Sequence, residues 1–325
     1  MPNLHSLPNE LILSIASHVP PPALHSLALT NRRLHALTLS SLYFSFSSQY
    51  RNFSPQNAAL LLRTVASSAR KANFVKHIHW AADVYVASQP RSHTPAVRDF
   101  VQRRERFASL APDRLLEAVC RAGEYEPTSV PMSERWFLEF FLSFVPGVTE
   151  LQVGGAWLWD DDVYWFTSGG FRFEKVVLKG PLRVENVVPL LQLPTLRVLW
   201  LTEVVELRRE SGVVFPWEKA ETRIEYPAGT CRVEDLSMSE SYISSEKLVK
   251  VLDAITALRC FKYDHQETEL VAEDEEVRID YAALARALER HKESLARLCF
   301  ADDGGESLTD VADIASWGKM GLVRH

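Results

Sequence analysis

The first apolar pattern in the chain is a stripe at helical spacing within residues 7–24. Its members fall at i, i+1, i+4, i+5 and i+8, which is one face of a helix: Leu11, Ile12, Ile15, Ala16 and Val19. Pro8 and Asn9 suit a helix start, and the run Pro20 to Pro22 is expected to end the helix.

Two more short helices are predicted before residue 45. The segment "ALHSLAL" (23–29) places Leu24 and Leu27 on one face, and Thr30 with Asn31 can cap "RRLHALTLSSLY" (32–43), which uses Leu34. Three helices this short bury little apolar surface among themselves. The surplus apolar surface indicates that the unit docks onto another protein.

The sequence pattern changes after residue 50, where strands are predicted as well as helices. Ser54 and Pro55 predict the N-cap and first residue of a helix, and "FVKHIHW" (74–80) predicts a strand with Ile78 and Trp80 inward. From residue 134 a pair of apolar residues separated by one position recurs. The pairs are Leu151/Val153, Val176/Leu178, Leu199/Leu201, Leu236/Met238, Phe261/Tyr263 and Leu298/Phe300.

Most of these strand-like pieces follow a helix-like segment, so the chain predicts a helix–strand repeat. The first residues of the pairs (151, 176, 199, 236, 261 and 298) are 25, 23, 37, 25 and 37 positions apart. This periodicity is typical of a solenoid. Insertions are expected at about 88–130, 205–230 and 264–280. The final "LVRH" resembles the start of one more strand, which favours a truncated C-terminus because solenoids usually end in a capping unit.

Composition and charge restrict the partners. The 325 residues carry 36 Lys and Arg against 42 Asp and Glu, a net charge of −6. Such a balance argues against nucleic acid and anionic membranes as partners. Four scattered cysteines without a Cys-x-x-Cys pair predict reduced thiols. We find neither a signal peptide nor a membrane span, so a cytoplasmic and/or nuclear location is expected.

No constellation for catalysis or metal binding stands out. His77 and His79 share a strand face, but a third ligand is missing nearby in sequence. The aspartates of "WDDDVYW" (159–165) lack the alternation of a calcium loop, and the paired glycines do not form a phosphate-binding pattern. We therefore expect no catalytic residue, no metal and no cofactor.

The segment "LPNELILSIASHVPPPALHSLALTNRRLHALTLSSLYFSFS" resembles an F-box, particularly that of filamentous-fungal F-box proteins. The later repeats resemble the divergent leucine-rich repeats that often follow it, without their usual asparagine. The resemblance implies a mixed α/β (α+β overall) fold. A three-helix F-box at residues 1–50 would precede an irregular leucine-rich-repeat solenoid with a curved parallel sheet at residues 51–325.

The resemblance also implies a function. F-box proteins bind a Skp-family adaptor and, through it, a cullin-RING ubiquitin ligase, while the repeats hold a protein substrate and the chain itself catalyses nothing. A non-catalytic scaffold that binds the adaptor outside a ligase complex is the alternative. The residues expected to bind the adaptor, some of which could instead form the core of the unit, are Leu7, Pro8, Leu11, Ile15, Leu24, Leu27 and Leu34.

Strand alternation predicts which residues face an unidentified protein substrate. If the apolar pairs point inward, the residues between and beside them point outward. The expected substrate-binding residues are His77, His79, Gln152, Lys179, Trp200, Thr202, Ser237 and Lys262, and the same rule exposes Val177 and Cys299. Trp200 would be the anchor of this surface, unless a neighbouring loop covers it.

Overall fold

The computed structural model describes residues 6–47, 55–81, 138, 141–142, 144–154, 171–206, 229–266 and 279–302. The predicted insertion at about 88–130, most of the two later insertions, the "WDDDVYW" segment and the chain end lie outside these residues. The chain forms two compact units, Met1–Ala81 with Arg91–Leu151, and Ala82–Pro90 with Gln152–His325.

The first unit begins with three short helices. They are α1 (Asn9–Ala16), α2 (Pro21–Thr30) and α3 (Arg32–Leu42). The helix α1 ends four residues before the prolines, which instead open α2, where a missing N–H costs no hydrogen bond. The Asn31 side chain caps α3 by accepting a hydrogen bond from the Leu34 N–H at 2.8 Å, as the sequence predicts.

One buried stripe of each helix forms the small core of this three-helix segment. The buried apolar residues are Ile12, Ala16, Leu24, Ala28, Leu34 and Leu39. Thr38 is also fully buried, and its hydroxyl donates to the Leu34 carbonyl at 2.8 Å. The polar atom is therefore satisfied within its own helix, at little cost to the core.

A short strand that the sequence pattern did not predict follows the helices. The strand β1 (Ser45–Ser47) precedes α4 (Pro55–Ser67), α5 (Ala69–Phe74) and β2 (His77–Ala81), with which it pairs in parallel. The Phe44 carbonyl accepts hydrogen bonds from the Lys76 and His77 N–H groups at 2.9 and 3.1 Å.

Side chains reinforce this pairing. The Phe46 ring lies 5.2 Å from that of Phe141 and 6.0 Å from that of Trp80. Trp80 and Phe141 are fully buried. The residues that directly follow the three helices therefore help to form the core of the first unit.

The second unit alternates strands with helical segments. After β3 (Glu150–Gly154), which spans the boundary between the units in sequence, come β4 (Lys175–Arg183), a turn of 3₁₀-helix (Val184–Asn186), α6 (Val187–Leu191), β5 (Val198–Val205), β6 (Asp235–Ser241), α7 (Ser245–Ala254), β7 (Cys260–His265), α8 (Tyr281–Glu289) and β8 (Arg297–Asp302). Among the described residues of this unit, the strands β4 to β8 neighbour one another in chain order. The described pairings β4–β5, β5–β6, β6–β7 and β7–β8 are parallel.

The predicted inward residues of the strands form the core. Both members of the first five apolar pairs are buried, from Leu151 and Val153 to Phe261 and Tyr263. Phe300 is buried, whereas its partner Leu298 in the last strand is half-buried. The mixed helix and strand content and the parallel sheet confirm the coarse fold prediction.

A positive backbone φ recurs at the same level of three adjacent strands, and the register shifts there in the β4–β5 and β6–β7 pairings. Lys179, Thr202 and Ser239 are aligned in register across β4, β5 and β6. The next residue of each strand has a positive φ: 119° at Gly180, 60° at Glu203 and 50° at Glu240. Glycine adopts this backbone without strain, whereas a glutamate does so at a cost of about 1 kcal/mol or more.

Candidate functional site

The three-helix segment exposes more apolar surface than its size requires. Leu11 and Ile15, one turn apart on α1, are 52% and 41% exposed, and Leu29 on α2 is 72% exposed. We call Leu11 and Ile15 the α1 stripe. At about 100° per residue, this stripe is centred about a quarter turn from the buried pair Ile12 and Ala16. The exposed stripe therefore lies beside the core of this segment and extends its apolar surface outward.

The structure divides the seven residues predicted to bind the adaptor. Leu24 and Leu34 are only 2% and 1% exposed, so they belong to the core of the helices. Pro8, Leu11 and Ile15 are exposed, whereas Leu7 and Leu27 are half-buried. Five of the seven residues are thus accessible to a partner, and docking through them stays a prediction.

Exposed apolar residues that the sequence reasoning did not name adjoin this set. Leu13, on the opposite flank of α1, is 40% exposed, and Leu29 is more exposed than Leu11 or Ile15. Both lie outside the stripe that the helical spacing selected. A search for apolar residues on every face of these helices, rather than on the most periodic one, would have found them.

A basic side chain fixes the segment that leads into α1. Arg33 on α3 donates to the Leu7 carbonyl at 2.8 Å and to the Asn9 Oδ1 atom at 2.7 and 3.1 Å. These bonds tie the start of α1 to α3. Because Leu7 and Pro8 have no regular secondary structure, we infer that Arg33 sets their position beside the α1 stripe.

A small helical unit with an apolar helix face open to solvent is suited to docking onto another protein. Residues 4–49 match the family model described as F-box-like. This match supports the prediction of an F-box protein made from the sequence. No curated protein matches the chain.

The second candidate surface is the side of the second unit's sheet opposite the buried pairs. Register aligns Val177, Trp200, Ser237, Lys262 and Cys299 in one row across β4 to β8. Two residues earlier, Lys175, Val198, Asp235, Cys260 and Arg297 form a second row. We call these two rows, with Lys179, Thr202, Ser239, Asp264 and Ala301 two residues later, the Trp200 face.

Trp200 is the large aromatic side chain of this face, and it is 39% exposed. Its indole N–H donates to the Asp235 carboxylate at 3.1 Å, and the Lys175 ammonium lies 4.6 Å from the ring centroid. A hydrogen bond and a cation–π contact therefore hold the ring from the strands on both sides. Trp200 is therefore exposed, and no loop within the described part of the chain buries it.

The other predicted substrate-binding residues differ in exposure. In the second unit Lys179 and Lys262 are exposed, and Gln152, Thr202 and Ser237 are half-buried. Val177 is only 6% exposed, which corrects the expectation that it would be open. Its register partner is Trp200, and a valine beside an indole on the same face loses much of its exposure.

His77 and His79 are half-buried in the first unit. The His77 ring packs edge-on against Phe44 at 4.4 Å, and its Nε2 atom lies 3.7 Å from the Glu150 carboxylate. Within the described part of the chain, no group of three histidine, cysteine, aspartate or glutamate residues could hold a metal ion. No helix among the described residues is long and apolar enough to cross a membrane.

Lys175 and Asp235, which contact the Trp200 side chain, were not predicted from the sequence. Each precedes a predicted outward residue by two positions, so the same alternation rule points to both. The prediction covered the outward residue within each apolar pair and the outward residue after it. The outward residue before each pair follows from the same alternation. Their role becomes visible through the contacts with Trp200.

A half-buried ion cluster joins helical segments to the residue that follows β5 in the second unit. Lys247 on α7 forms ion pairs with Glu185 and, at 3.4 Å, with Glu206, which also accepts a hydrogen bond from the Ser244 N–H. Burial alone would raise the pKa of Glu206, but the bonds from Ser244 and the charge of Lys247 outweigh it and lower this pKa. Each member of the cluster thus has a structural partner.

The carboxylates of the two positive-φ residues Glu203 and Glu240 interact with each other. Burial, followed by repulsion from the Glu240 carboxylate, raises the pKa of Glu203. Both glutamates directly follow the last aligned row, so they give that end of the Trp200 face a negative border.

Proposed function

We propose that the protein is the substrate-recognition subunit of a Skp–cullin–F-box ubiquitin ligase. The F-box-like match at residues 4–49 supports this role, and the exposed α1 stripe is the observation that carries it. In this proposal the stripe, with Leu7, Pro8 and Leu27, binds a Skp-family adaptor. The adaptor then links the chain to a cullin.

The second unit supplies the substrate-binding surface in this proposal. Its parallel strands follow one another in chain order, as in the divergent leucine-rich repeats that the sequence resembles. The Trp200 face would hold a protein substrate close to the ubiquitin-carrying enzyme. Proximity alone accelerates such a transfer, so the chain needs no catalytic residue of its own.

The test of adaptor binding is the Leu11→Asp variant. Leu11 is half exposed, so a carboxylate there is compatible with the fold but places a charge in a desolvated apolar interface. We expect adaptor binding to weaken by at least about 2 kcal/mol, or about 30-fold. Purified chain and a purified Skp-family adaptor would be compared by isothermal titration calorimetry.

Ser14→Asp is the matched control, because it adds the same carboxylate to an exposed position of α1 without removing an apolar side chain. Circular dichroism would verify that both variants fold. Equal binding by both variants and the natural chain would refute docking through the α1 stripe. Recovery of the adaptor without a cullin from cell extract would instead favour the scaffold role.

A further inference from the structure

The available surface of Trp200 is its ring. The indole N–H, its single hydrogen-bond donor, is already bonded to Asp235. What the side chain can offer a partner is therefore apolar and aromatic contact. Because Lys175 and Asp235 hold the ring in place, little conformational entropy is lost when a partner packs on it.

Basic residues outnumber acidic ones on the Trp200 face. The Trp200 face carries four basic residues, Lys175, Lys179, Lys262 and Arg297, and two acidic ones, Asp235 and Asp264. The whole chain has the opposite sign, at −6. Lys179 and Lys262 are exposed, and neither forms an ion pair within the described part of the chain. A face whose charge is opposite to that of the molecule selects for negatively charged partners.

The register gives the spacing of these charges. Lys179 is one strand and one step along the face from Trp200, about 8 Å between Cα atoms, and Lys262 is two strands away, about 10 Å. An extended peptide advances about 3.3 Å per residue. A peptide that crosses the strands can place one residue over Trp200. Carboxylates two or three residues before and after that residue would then reach Lys179 and Lys262.

We propose that the Trp200 face binds an extended acidic segment of a protein, with an apolar side chain on Trp200 and flanking carboxylates at Lys179 and Lys262. The proposal rests on the substrate-recognition role given above and names the substrate class. Asp235 and Asp264 on the face, and the glutamates at its border, disfavour a polyphosphate backbone. A protein segment can instead place its few carboxylates away from them.

The experiment is selection from a displayed library of random 12-residue peptides on the immobilised full-length chain. We expect enriched peptides to carry an apolar residue with Asp or Glu two or three positions away on both sides. A synthetic peptide from the enriched set would then be titrated into the natural chain and three variants. These are Trp200→Ala, the pair Lys179→Glu/Lys262→Glu, and the control pair Lys250→Glu/Lys292→Glu.

The control pair makes the same change in net charge on exposed helix-side lysines that the Trp200 face does not include. We expect Trp200→Ala and the first charge-reversed pair each to weaken binding at least about tenfold. The control pair should change it less than about twofold. Absence of acidic enrichment, or equal weakening by both charge-reversed pairs, would overturn the proposal.

A labelled 12-nucleotide oligothymidylate provides the second arm. Binding of this probe to the natural chain, with loss in the Lys179→Glu/Lys262→Glu variant, would identify the face as a nucleic-acid site and overturn the peptide proposal. Adaptor binding is measured separately on every variant. If the chain binds the adaptor normally but no acidic peptides, only the acidic-segment proposal is refuted. If it binds acidic peptides but not the adaptor, only the ligase role is refuted.

Discussion

Arg33 shows how one polar side chain can serve an apolar interface. It ties the Leu7 carbonyl and the Asn9 side chain to α3, although it presents no apolar surface of its own. In the proposed complex, docking of Leu7 and Pro8 would therefore depend on a residue that is not itself expected to touch the adaptor.

We expect Arg33→Met to weaken adaptor binding by about three- to tenfold, because losing charge-assisted hydrogen bonds frees the Leu7–Asn9 segment. The measurement is the dissociation constant of the adaptor complex by calorimetry. Arg32→Met is the neighbouring control, since Arg32 is exposed. If the two variants bind equally well, Arg33 does not position the docking segment.

His291 is a buried titratable residue at the end of α8. Its Nδ1 atom accepts from the Leu258 N–H at 3.4 Å, and its Nε2 atom lies 3.3 Å from the Leu252 carbonyl. Burial, which outweighs the Leu252 carbonyl and Asp253, lowers its pKa from the ordinary value of 6.5. The folded state therefore favours the neutral ring, and a proton on Nδ1 would remove the bond from Leu258.

This pKa predicts that the protein loses stability in mild acid. As the pH falls through 6.5, the unfolded chain binds a proton at this position before the folded chain does. The free energy of unfolding then decreases by up to about 1.4 kcal/mol per pH unit until the lower, folded pKa is reached. Urea unfolding at pH 7.5, 6.5 and 5.5 would measure it.

The His291→Gln variant isolates this contribution from the other titrating groups. We expect it to be less stable than the natural chain at pH 7.5, and the difference to shrink as the pH falls. A difference that stays constant across the three pH values would show that folding does not lower the pKa of His291.

At the scale of elements, the positive φ repeated on β4, β5 and β6 falls on one glycine and on two glutamates that are strained by it. Gly180 adopts the positive φ without a side chain, whereas Glu203 and Glu240 adopt it with one. Two of the three neighbouring strands, β5 and β6, thus have a strained backbone conformation at the same level.

Replacing the exposed Glu240 by glycine should relieve this strain. We expect Glu240→Gly to stabilise the protein by about 0.5–1 kcal/mol, because the relief exceeds the entropy that glycine adds to the unfolded chain. Glu246→Gly in α7 is the control and should destabilise by about 1 kcal/mol. Loss of stability in Glu240→Gly would mean that the Glu240 side chain contributes more than its backbone costs.

Elements with strong periodicity were predictable, and those that depend on distant contacts were not. Alternation identified the inward residues of β3 to β7, because a half-buried strand has a period of two. The strand β1 was missed because three residues carry no usable period, and its pairing depends on the distant residues Lys76 and His77. The positive φ at Glu203 and Glu240 was not predictable from the sequence, because glycine is the residue expected in that conformation.

The candidate sites show the same limit. Spacing placed Leu11, Ile12, Ile15 and Ala16 on one stripe, but only the packing of α1 shows that Ile12 and Ala16 are buried while the other two are open. Trp200 was predictable from alternation alone. The Lys175 and Asp235 contacts that hold its ring depend on strand register, which the sequence does not state.

At the scale of the whole molecule, the F-box-like segment makes contacts beyond its sequence boundary near residue 50. Residues 45–47 form β1, and Phe46 packs with Trp80 and Phe141. A cut near residue 50, which the sequence resemblance suggests, removes this strand and its ring from the first unit. A point variant such as Leu11→Asp is therefore the better way to disable docking when substrates are sought.

Hydrogen exchange can test this dependence. In a chain that begins at residue 51, we expect the Lys76 and His77 amides to exchange at least about tenfold faster, because their acceptor, the Phe44 carbonyl, is gone. Amides of α7 serve as the internal reference. Unchanged protection at Lys76 and His77 would show that the remainder of the first unit holds its structure without β1.

The row that contains Trp200 ends in a thiol. Cys299 is partly exposed, whereas burial raises the pKa of the Cys231 thiol to about 11 and leaves it unreactive at neutral pH. A maleimide dye would therefore attach at Cys299 in preference to Cys231. Such a dye would stand on the same face as the tryptophan, where its emission could report the arrival of a peptide in real time.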